Sequence, residues 1–203
     1  MIDREVYLRL EHIESECVAS LKHYLSSRLA QEGVALIVQS RIKSPASVEH
    51  KLRNRRLMRG HPAGDKSPSE FVNDFLGIRV VLPHVGQLEK AAELLMEWIA
   101  QNKRLGLISA ANYFGKPASE LYRSYHLDLR FDLDAELCDK VGAEIQVTTY
   151  LQNFFNEISH QLSYRQIADR PGVASLLTRV ASDLRHLDDD VAALFNHSTK
   201  EGY

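Results

Sequence analysis

The chain has 203 residues, 44% of them hydrophobic, which is enough to bury one full core, so we expect a single domain. Its 25 basic and 27 acidic residues give a formal net charge of −2, which argues against a general nucleic-acid coat but leaves room for a local basic patch. Two distant cysteines, Cys17 and Cys138, exclude a disulfide framework, and the lack of a signal-like or membrane-length apolar run predicts a cytoplasmic protein without membrane contact.

The predicted elements alternate between helices and strands. They are a helix over 3–32, a strand over 34–42, a helix over 45–58, a strand over 71–81, a helix over 85–101, strands over 105–110, 122–131 and 141–148, and helices over 150–167 and 172–196. The helices follow from apolar residues near the 3.6-residue period and the strands from short runs rich in β-branched and aromatic residues. We expect residues 34–42 to be a buried strand because most of them are apolar.

This alternation predicts the α/β class, with a mixed five-stranded sheet flanked by helices. We expect one domain over residues 1–203. Its parts would be an N-terminal helix over 1–33, a core over 34–168 and a C-terminal helix over 169–203.

The last predicted helix carries apolar residues at alternating steps of four and three, which is a heptad pattern. They are Val173, Leu177, Val180, Leu184, Leu187, Val191 and Leu194. This seam has two interpretations, packing on the protein's own helices or a homo-oligomer interface through the C-terminal helix.

Two acids lie in otherwise apolar, strand-like runs. Asp74 falls within residues 71–81, and Glu144 falls within residues 141–148. A carboxylate in a core strand is costly unless it is paired, hydrogen-bonded or bound to a cation. Two such groups on separate strands can share one Mg²⁺, which prefers oxygen ligands and keeps phosphates in its coordination sphere. Phosphoryl or pyrophosphoryl transfer is therefore the first hypothesis.

A cluster of cations precedes the first of these acids. Arg41 and Lys43 share one face at the end of a predicted strand, while Ser47 and Lys51 lie one turn apart on the helix that follows. Together with the free N–H groups of that helix N-terminus, they could hold a polyphosphate. The alternative is a solvated basic helix.

The fourth and fifth predicted strands also offer polar side chains on one face. Tyr122 and His126 share a face of the fourth strand, and Glu144 and Gln146 share a face of the fifth. An aromatic ring and an imidazole suit the stacking of a base and the binding of a ribose. A structural tyrosine and a surface-facing strand edge are the alternatives for each strand taken alone.

Taken in order, these segments resemble the RelA/SpoT family of nucleotidyltransferases, the alarmone synthetases. The matching segments are Arg41 to Lys51, Asp74 to Val81, Tyr122 to Leu127, Glu144 to Gln146 and Phe155 to Arg165. The resemblance implies a nucleotidyltransferase-like synthetase fold and transfer of the β,γ-pyrophosphate of ATP to the 3′-hydroxyl of GDP or GTP. Long relatives also carry a hydrolase domain with a His-Asp motif, and this sequence has no His-Asp doublet, so we expect a small, synthetase-only form.

The resemblance also implies a role for each matching residue. Arg41 and Arg79 would sandwich the adenine of ATP, and its phosphates would be held by Lys43, Ser47 and Lys51. Mg²⁺ would be bound by Asp74 and Glu144, with Glu144 also the base toward the acceptor hydroxyl. The acceptor nucleotide would contact Tyr122, His126, Gln146 and Lys116.

The sequence departs from the family pattern at three places, two of them on the acceptor side. Glu120 and Leu121 replace an Asn-Gly pair, Thr148 replaces an arginine, and Ser159 replaces a glutamate. The acceptor therefore stays open between a guanosine nucleotide, an adenosine nucleotide and a tRNA 3′ end, the last two being acceptors of toxic relatives. A nucleotide-binding module without turnover is the alternative from another functional class.

Overall fold

The computed structural model of the chain describes residues 4–29, 35–59, 74–114, 123–134, 139–165, 167 and 170–198. The helices are α1 (Arg4–Leu29), α2 (Pro45–Arg59), α3 (Leu88–Gln101), α4 (Tyr150–Tyr164) and α5 (Pro171–Ser198), with a 3-10 turn over Val85–Gln87 before α3. The strands are β1 (Ile37–Ile42), β2 (Leu76–Leu82), β3 (Leu105–Asn112), β4 (Tyr125–Asp134) and β5 (Asp139–Thr149). None of these helices combines the length and apolar character that crossing a bilayer requires.

The described strands form one mixed sheet in the order β1-β2-β5-β4-β3. β2 and β5 are parallel, and the other three neighbouring pairs are antiparallel. The predicted α/β class and five-stranded mixed sheet are confirmed. Because β2 and β5 are adjacent although two strands separate them in sequence, residues near Asp74 and Glu144 come together at the middle of the sheet.

One face of the sheet is apolar and is covered by α1 and α3. The buried residues of α1 follow one helical stripe, Leu10, Ile13, Cys17, Leu21, Leu25 and Leu29. From Ile13 onward they pack with the inward residues of β2, β5 and β4, among them Ile78, Ile145 and Leu127, whereas Leu10 packs with Val48 and Phe75. Trp98 of α3 joins this core, and its indole N–H donates to Ser20 of α1 over 3.3 Å.

The other face of the sheet is polar, and the strand registers align its side chains in two rows. The first row runs across Arg41, Gly77, Glu144, Asp128 and Ser109. The second row runs across Gln39, Arg79, Gln146, His126 and Ala111. The helix α4 contacts β2 and β5 and lies against one end of this face.

Three details of the strand predictions are wrong. β1 is an edge strand with mostly exposed residues, because it pairs with β2 alone. β2 begins at Leu76, so Asp74 precedes the core strand instead of lying inside it. β4 begins at Tyr125, later than predicted.

The helices α4 and α5 form a hairpin with its own small core. Phe155 of α4 is buried against Leu177 and Ala181 of α5. The second half of α5 packs on the turn before α3, where Ala192 lies beside Gly86. Because those neighbours are small or polar, α5 buries Asp188 and Ala192 there.

The predicted heptad seam is therefore only half buried within the protein. Val173, Val180 and Leu184 pack around Phe155 as the first interpretation predicts. Leu187 and Leu194 instead remain 48% and 69% exposed.

The buried Asp188 attaches α5 to the end of the sheet. Thr149 donates its Oγ1–H to Oδ2 of Asp188 over 2.6 Å, and the same hydroxyl accepts from the backbone N–H of Gln152. Burial raises the pKa of the Asp188 carboxyl, and the nearby Asp189 adds to this, against the hydrogen bond from Thr149 and the charge of Arg123.

This raised pKa predicts how stability changes with pH. The folded state favours the protonated form of Asp188, so its contribution is present below the pKa of the unfolded chain, about 3.9, and is lost as pH rises through the higher folded pKa. Relative to wild type, Asp188→Asn should therefore gain stability as pH rises above about 4. Urea unfolding of wild type and Asp188→Asn at pH values from below about 4 upward measures this difference in the free energy of unfolding. The exposed variant Asp190→Asn controls for the lost charge. A difference that does not change with pH would contradict this account.

Candidate active site

Asp74 lies just before β2 and is held by two lysines. Its Oδ2 is 2.5 Å from Nζ of Lys43 at the end of β1, and its Oδ1 is 2.6 Å from Nζ of Lys51 in α2. Burial alone would raise the pKa of the Asp74 carboxyl, but the hydrogen bonds and charges of both lysines outweigh burial and lower that pKa. Asp74 is therefore a carboxylate at neutral pH, and the two ammonium groups sit beside it.

Glu144 lies at the centre of the polar face on β5. Its Oε1 is 2.5 Å from Nδ1 of His126 on β4 and accepts from Nε2 of Gln146 over 3.2 Å. Burial would raise the pKa of the Glu144 carboxyl, but the contacts with His126 and Gln146 lower it overall. The charge of Asp74 acts in the opposite direction on Glu144, which places the two carboxylates within electrostatic range of each other.

A single cavity joins the two carboxylates. It has a volume of about 240 Å³ and is lined by Arg41, Asp74, Arg79, Glu144, Gln146 and Glu157, among others. Gly77 separates Arg41 from Glu144 in the first row, so no side chain divides the cavity there. The cavity thus brings together predicted site residues from three separate segments of the sequence: Arg41, Asp74 with Arg79, and Glu144 with Gln146.

The donor set of this cavity suits magnesium. Mg²⁺ takes one or two protein carboxylates and fills its other positions with water and substrate phosphates, which matches Asp74 and Glu144 beside cationic side chains. Within the described part of the chain, no group of three or more His, Cys, Asp or Glu could hold a metal by itself.

Arg79 points along the cavity toward α4. Its Nη1 donates to Oδ1 of Asn153 over 2.8 Å and lies 2.5 Å from Oε1 of Glu157. The two partners are four residues apart, so they share one face of α4. They hold the guanidinium against α4.

Three predicted contacts have different outcomes. Ser47 lies in the first turn of α2 but is exposed, and its hydroxyl accepts from Ser44 Oγ over 2.9 Å. Ser44 also accepts from the Ser47 backbone N–H, as an N-cap residue does. Tyr122 and Lys116 lie outside the described residues, so their roles stay predictions.

The sequence did not indicate three residues that the structure adds to the site. Asn153 and Glu157 hold Arg79, and the rings of Tyr113 and His126 pack in a T-shaped arrangement at 5.0 Å between centroids. Their signal in the sequence is weak, because a polar i, i+4 pair on a helix is usually only solvated. Only the position of α4 beside β2 shows that this pair faces an arginine.

A larger groove of about 530 Å³ lies beside α3 and contains none of the predicted site residues. Its lining includes Glu89, Glu93 and Glu97. Three acids repel a polyphosphate, so this groove does not compete with the Asp74–Glu144 cavity as a nucleotide site.

A family model described as the region found in RelA and SpoT proteins matches residues 40–169. The chain belongs to the RelA/SpoT family. It is 24% identical over 153 residues to GTP pyrophosphokinase YwaC of Bacillus subtilis (strain 168), covering 75% of this chain and 69% of the relative. It is 26% identical over 159 residues to GTP pyrophosphokinase YjbM of the same organism, covering 77% of this chain and 70% of the relative.

A solved structure shows that the fold is shared as well. Small alarmone synthetase 1 from Bacillus subtilis, bound to its product pppGpp, matches with a TM-score of 0.75 and 22% identity, over 95% of this chain and 96% of that chain. The predicted family and its synthetase fold are thereby confirmed.

Two of the departures from the RelA/SpoT pattern are visible in the fold. Thr148 is 1% exposed, and its hydroxyl has no hydrogen-bond partner among the described residues. The hydroxyl of Ser159 is likewise buried and lacks a partner within the same part of the chain. Glu120 and Leu121 lie outside the described residues.

Proposed function

We propose that the protein transfers the β,γ-pyrophosphate of ATP to the 3′-hydroxyl of GDP or GTP and thereby makes ppGpp or pppGpp. The observation that carries this proposal is the cavity in which Asp74 and Glu144 lie beside cations of β1, α2 and β2. Membership of the RelA/SpoT family supports it, because YwaC and YjbM are named GTP pyrophosphokinases and the matching synthetase structure holds pppGpp.

The triphosphate of ATP binds Lys43 and Lys51 in this proposal. Both ammonium groups contact Asp74, which lines the cavity. The phosphate oxygens of ATP compete for these ammonium groups more strongly than a single carboxylate does. The first turn of α2, at Ser47, adds backbone N–H groups and a hydroxyl. ATP binding would therefore draw the lysines away from Asp74 and free its oxygens.

The adenine of ATP lies between Arg41 and Arg79. Both guanidinium groups line the cavity, and guanidinium planes stack favourably on aromatic rings. Asn153 and Glu157 restrict Arg79 before the nucleotide binds, which reduces the entropy lost on binding.

We infer that Asp74 and Glu144 hold Mg²⁺ together with the phosphates of ATP. When bound, the ion neutralises charge on the transferring group and orients it. The chain's own residues align the substrates: the lysines hold the donor phosphates, and His126 with Gln146 fixes the Glu144 carboxylate.

Glu144 acts as the base toward the acceptor. It takes the proton of the 3′-hydroxyl as the oxygen forms a bond to the β-phosphorus of ATP. The bond from the β-phosphorus to the oxygen bridging the α-phosphate breaks at the same time, and AMP leaves with that oxygen. His126 and Gln146 contact Glu144 and contribute to the acceptor side, where Tyr122 and Lys116 are also expected.

One experiment tests the activity and the acceptor together. The protein is incubated with γ-labelled ATP and Mg²⁺ alongside GDP, GTP, GMP, AMP, ADP or deacylated tRNA, and the labelled species are separated. We expect label in GDP- and GTP-derived products, with one AMP released per product. Label on an adenosine nucleotide or on tRNA would correct the acceptor, whereas no labelled acceptor would favour a binding module without turnover.

The ion pair on α4 should affect ATP binding more than turnover. Glu157→Gln removes the charge that holds Arg79, and because Glu157 is 57% exposed, the effect should be small. We expect the KM for ATP to rise about two- to fivefold, the range for an exposed ion pair, with little change in kcat. Steady-state ATP titrations measure this, with exposed Glu93→Gln on α3 as control. A fall in kcat at unchanged KM would argue that Glu157 has a different role.

The exposed half of the α5 heptad seam favours binding to a second copy of the chain. Leu187 and Leu194 are large, apolar, exposed and in heptad register, which suits a self-complementary helix pair. Sedimentation velocity of wild type and the double variant Leu187→Glu/Leu194→Glu tests this, with exposed Leu8→Glu on α1 as control. We expect an oligomer that only the double variant dissociates; a monomeric wild type at all concentrations would refute it.

A further inference from the structure

Two carboxylates lie directly opposite each other on the polar face of the sheet. Asp128 of β4 is the register partner of Glu144 of β5. Like charges at opposed positions of neighbouring strands destabilise a sheet. Glu144 is compensated by His126 and Gln146, so Asp128 is the acid that the proposed chemistry leaves without a role.

The surroundings of Asp128 hold its carboxylate ready for a ligand. Ser109 of β3 donates its hydroxyl to Oδ2 of Asp128 over 2.6 Å. The other oxygen, Oδ1, has no donor among the described residues. Asp128 is only partly buried, so a bound molecule can reach it.

The position of Asp128 places it on the acceptor side of Glu144. The cavity assigned to ATP extends from Glu144 over β2 and β1, toward Arg41 and Arg79. An acceptor hydroxyl that reaches Glu144 must therefore lie over the opposite side, which is formed by β4 and β3. The ribose carbon next to the reacting 3′ position carries the 2′-hydroxyl, and Asp128 is the residue next to Glu144 in that direction.

We propose that Asp128, held by Ser109, accepts a hydrogen bond from the 2′-hydroxyl of the acceptor ribose and so selects ribonucleotides over 2′-deoxyribonucleotides. This inference rests on the proposed transfer to a 3′-hydroxyl but not on the identity of the acceptor base. A hydrogen bond to a charged acceptor gives discrimination of about 10- to 100-fold.

The test compares GDP with 2′-deoxy-GDP, which keeps the 3′-hydroxyl and differs only at the 2′ position. Wild type should prefer GDP in kcat/KM by about 10- to 100-fold. Asp128→Ala should lose that preference by reacting more slowly with GDP while its rate with 2′-deoxy-GDP stays the same. Asp132→Ala, which removes another acid of β4, should keep the wild-type ratio. If Asp128→Ala does not fold, Asp128→Asn is measured in its place and should lower the preference.

An unchanged ratio in the Asp128 variant would overturn the inference while leaving the proposed function intact. Calorimetry measures binding of GDP and 2′-deoxy-GDP to the same proteins without turnover. It therefore distinguishes loss of the 2′-hydroxyl contact from failure of the proposed transfer reaction. Wild type that transfers to no ribonucleotide would refute the proposed function. In that case, equal binding of both nucleotides to wild type would refute the 2′-hydroxyl contact as well.

Discussion

Replacing Glu144 by glutamine should lower the rate of pyrophosphate transfer by about 10³-fold, the range for loss of a positioned base. The carboxylate is fixed at the centre of the polar face by His126 and Gln146, at 2.5 and 3.2 Å. Glutamine keeps its shape and can still contact both neighbours, but it neither takes a proton nor offers a charged oxygen to a cation. The loss should therefore appear in kcat and not in folding.

Initial rates of AMP release measure the effect of Glu144→Gln, and thermal unfolding checks that the variant is folded. Glu93→Gln, on the exposed side of α3, controls for the loss of one negative charge. If the turnover of Glu144→Gln stays within tenfold of wild type, Glu144 does not act as the base.

Replacing Asp74 by asparagine should lower transfer by about 10²- to 10³-fold while leaving ATP binding without Mg²⁺ at least as tight as in wild type. Turnover and ATP binding should respond differently because two lysine ammonium groups lie 2.5 and 2.6 Å from the Asp74 carboxylate. Without that charge, Lys43 and Lys51 are free to bind phosphates, but the cavity would lack one of the two oxygen ligands proposed for the metal. Turnover and binding should thus move in opposite directions.

Equilibrium binding of a non-hydrolysable ATP analogue in EDTA measures the binding half of this prediction. Asp190→Asn, on the exposed face of α5, is the matched control. If Asp74→Asn binds the analogue more weakly than wild type, the acid and the lysines do not compete as described. Retained full turnover would refute the metal assignment itself.

The position of Glu144 could be predicted from the sequence because strand alternation is a local property. Glu144 and Gln146 are two residues apart, with Ile145 and Val147 between and beyond them, and the two apolar residues are fully buried in the core. The same alternation holds in β4, where Leu127 and Leu129 are buried in the core. The fold class followed from the order of such segments.

The partners of each site residue could not be predicted in the same way, because they come from other elements. Lys51 reaches Asp74 from α2, and Asn153 and Glu157 reach Arg79 from α4. These contacts depend on how a helix sits on the sheet, which periodicity within one segment does not determine. The apolar run around Asp74 likewise predicted a strand there, although β2 starts two residues later.

The burial of the C-terminal helix likewise depends on neighbouring elements that its own sequence pattern does not reveal. Its heptad pattern predicted an apolar seam, but Leu187 and Leu194 are exposed while Asp188 is buried. The neighbours of that half of α5 are Thr149 and the turn before α3, where a small or hydrogen-bonded side chain fits better than leucine.

The metal site that we propose Asp74 and Glu144 share is tested most directly by a titration with Mn²⁺ followed by electron paramagnetic resonance, in the presence of a non-hydrolysable ATP analogue. We expect wild type to hold Mn²⁺ tightly only when the analogue is bound, and Asp74→Asn and Glu144→Gln each to weaken that binding while the analogue still binds. Mn²⁺ affinity unchanged in either variant would show that the two carboxylates do not share one ion, and would contradict the proposed mechanism.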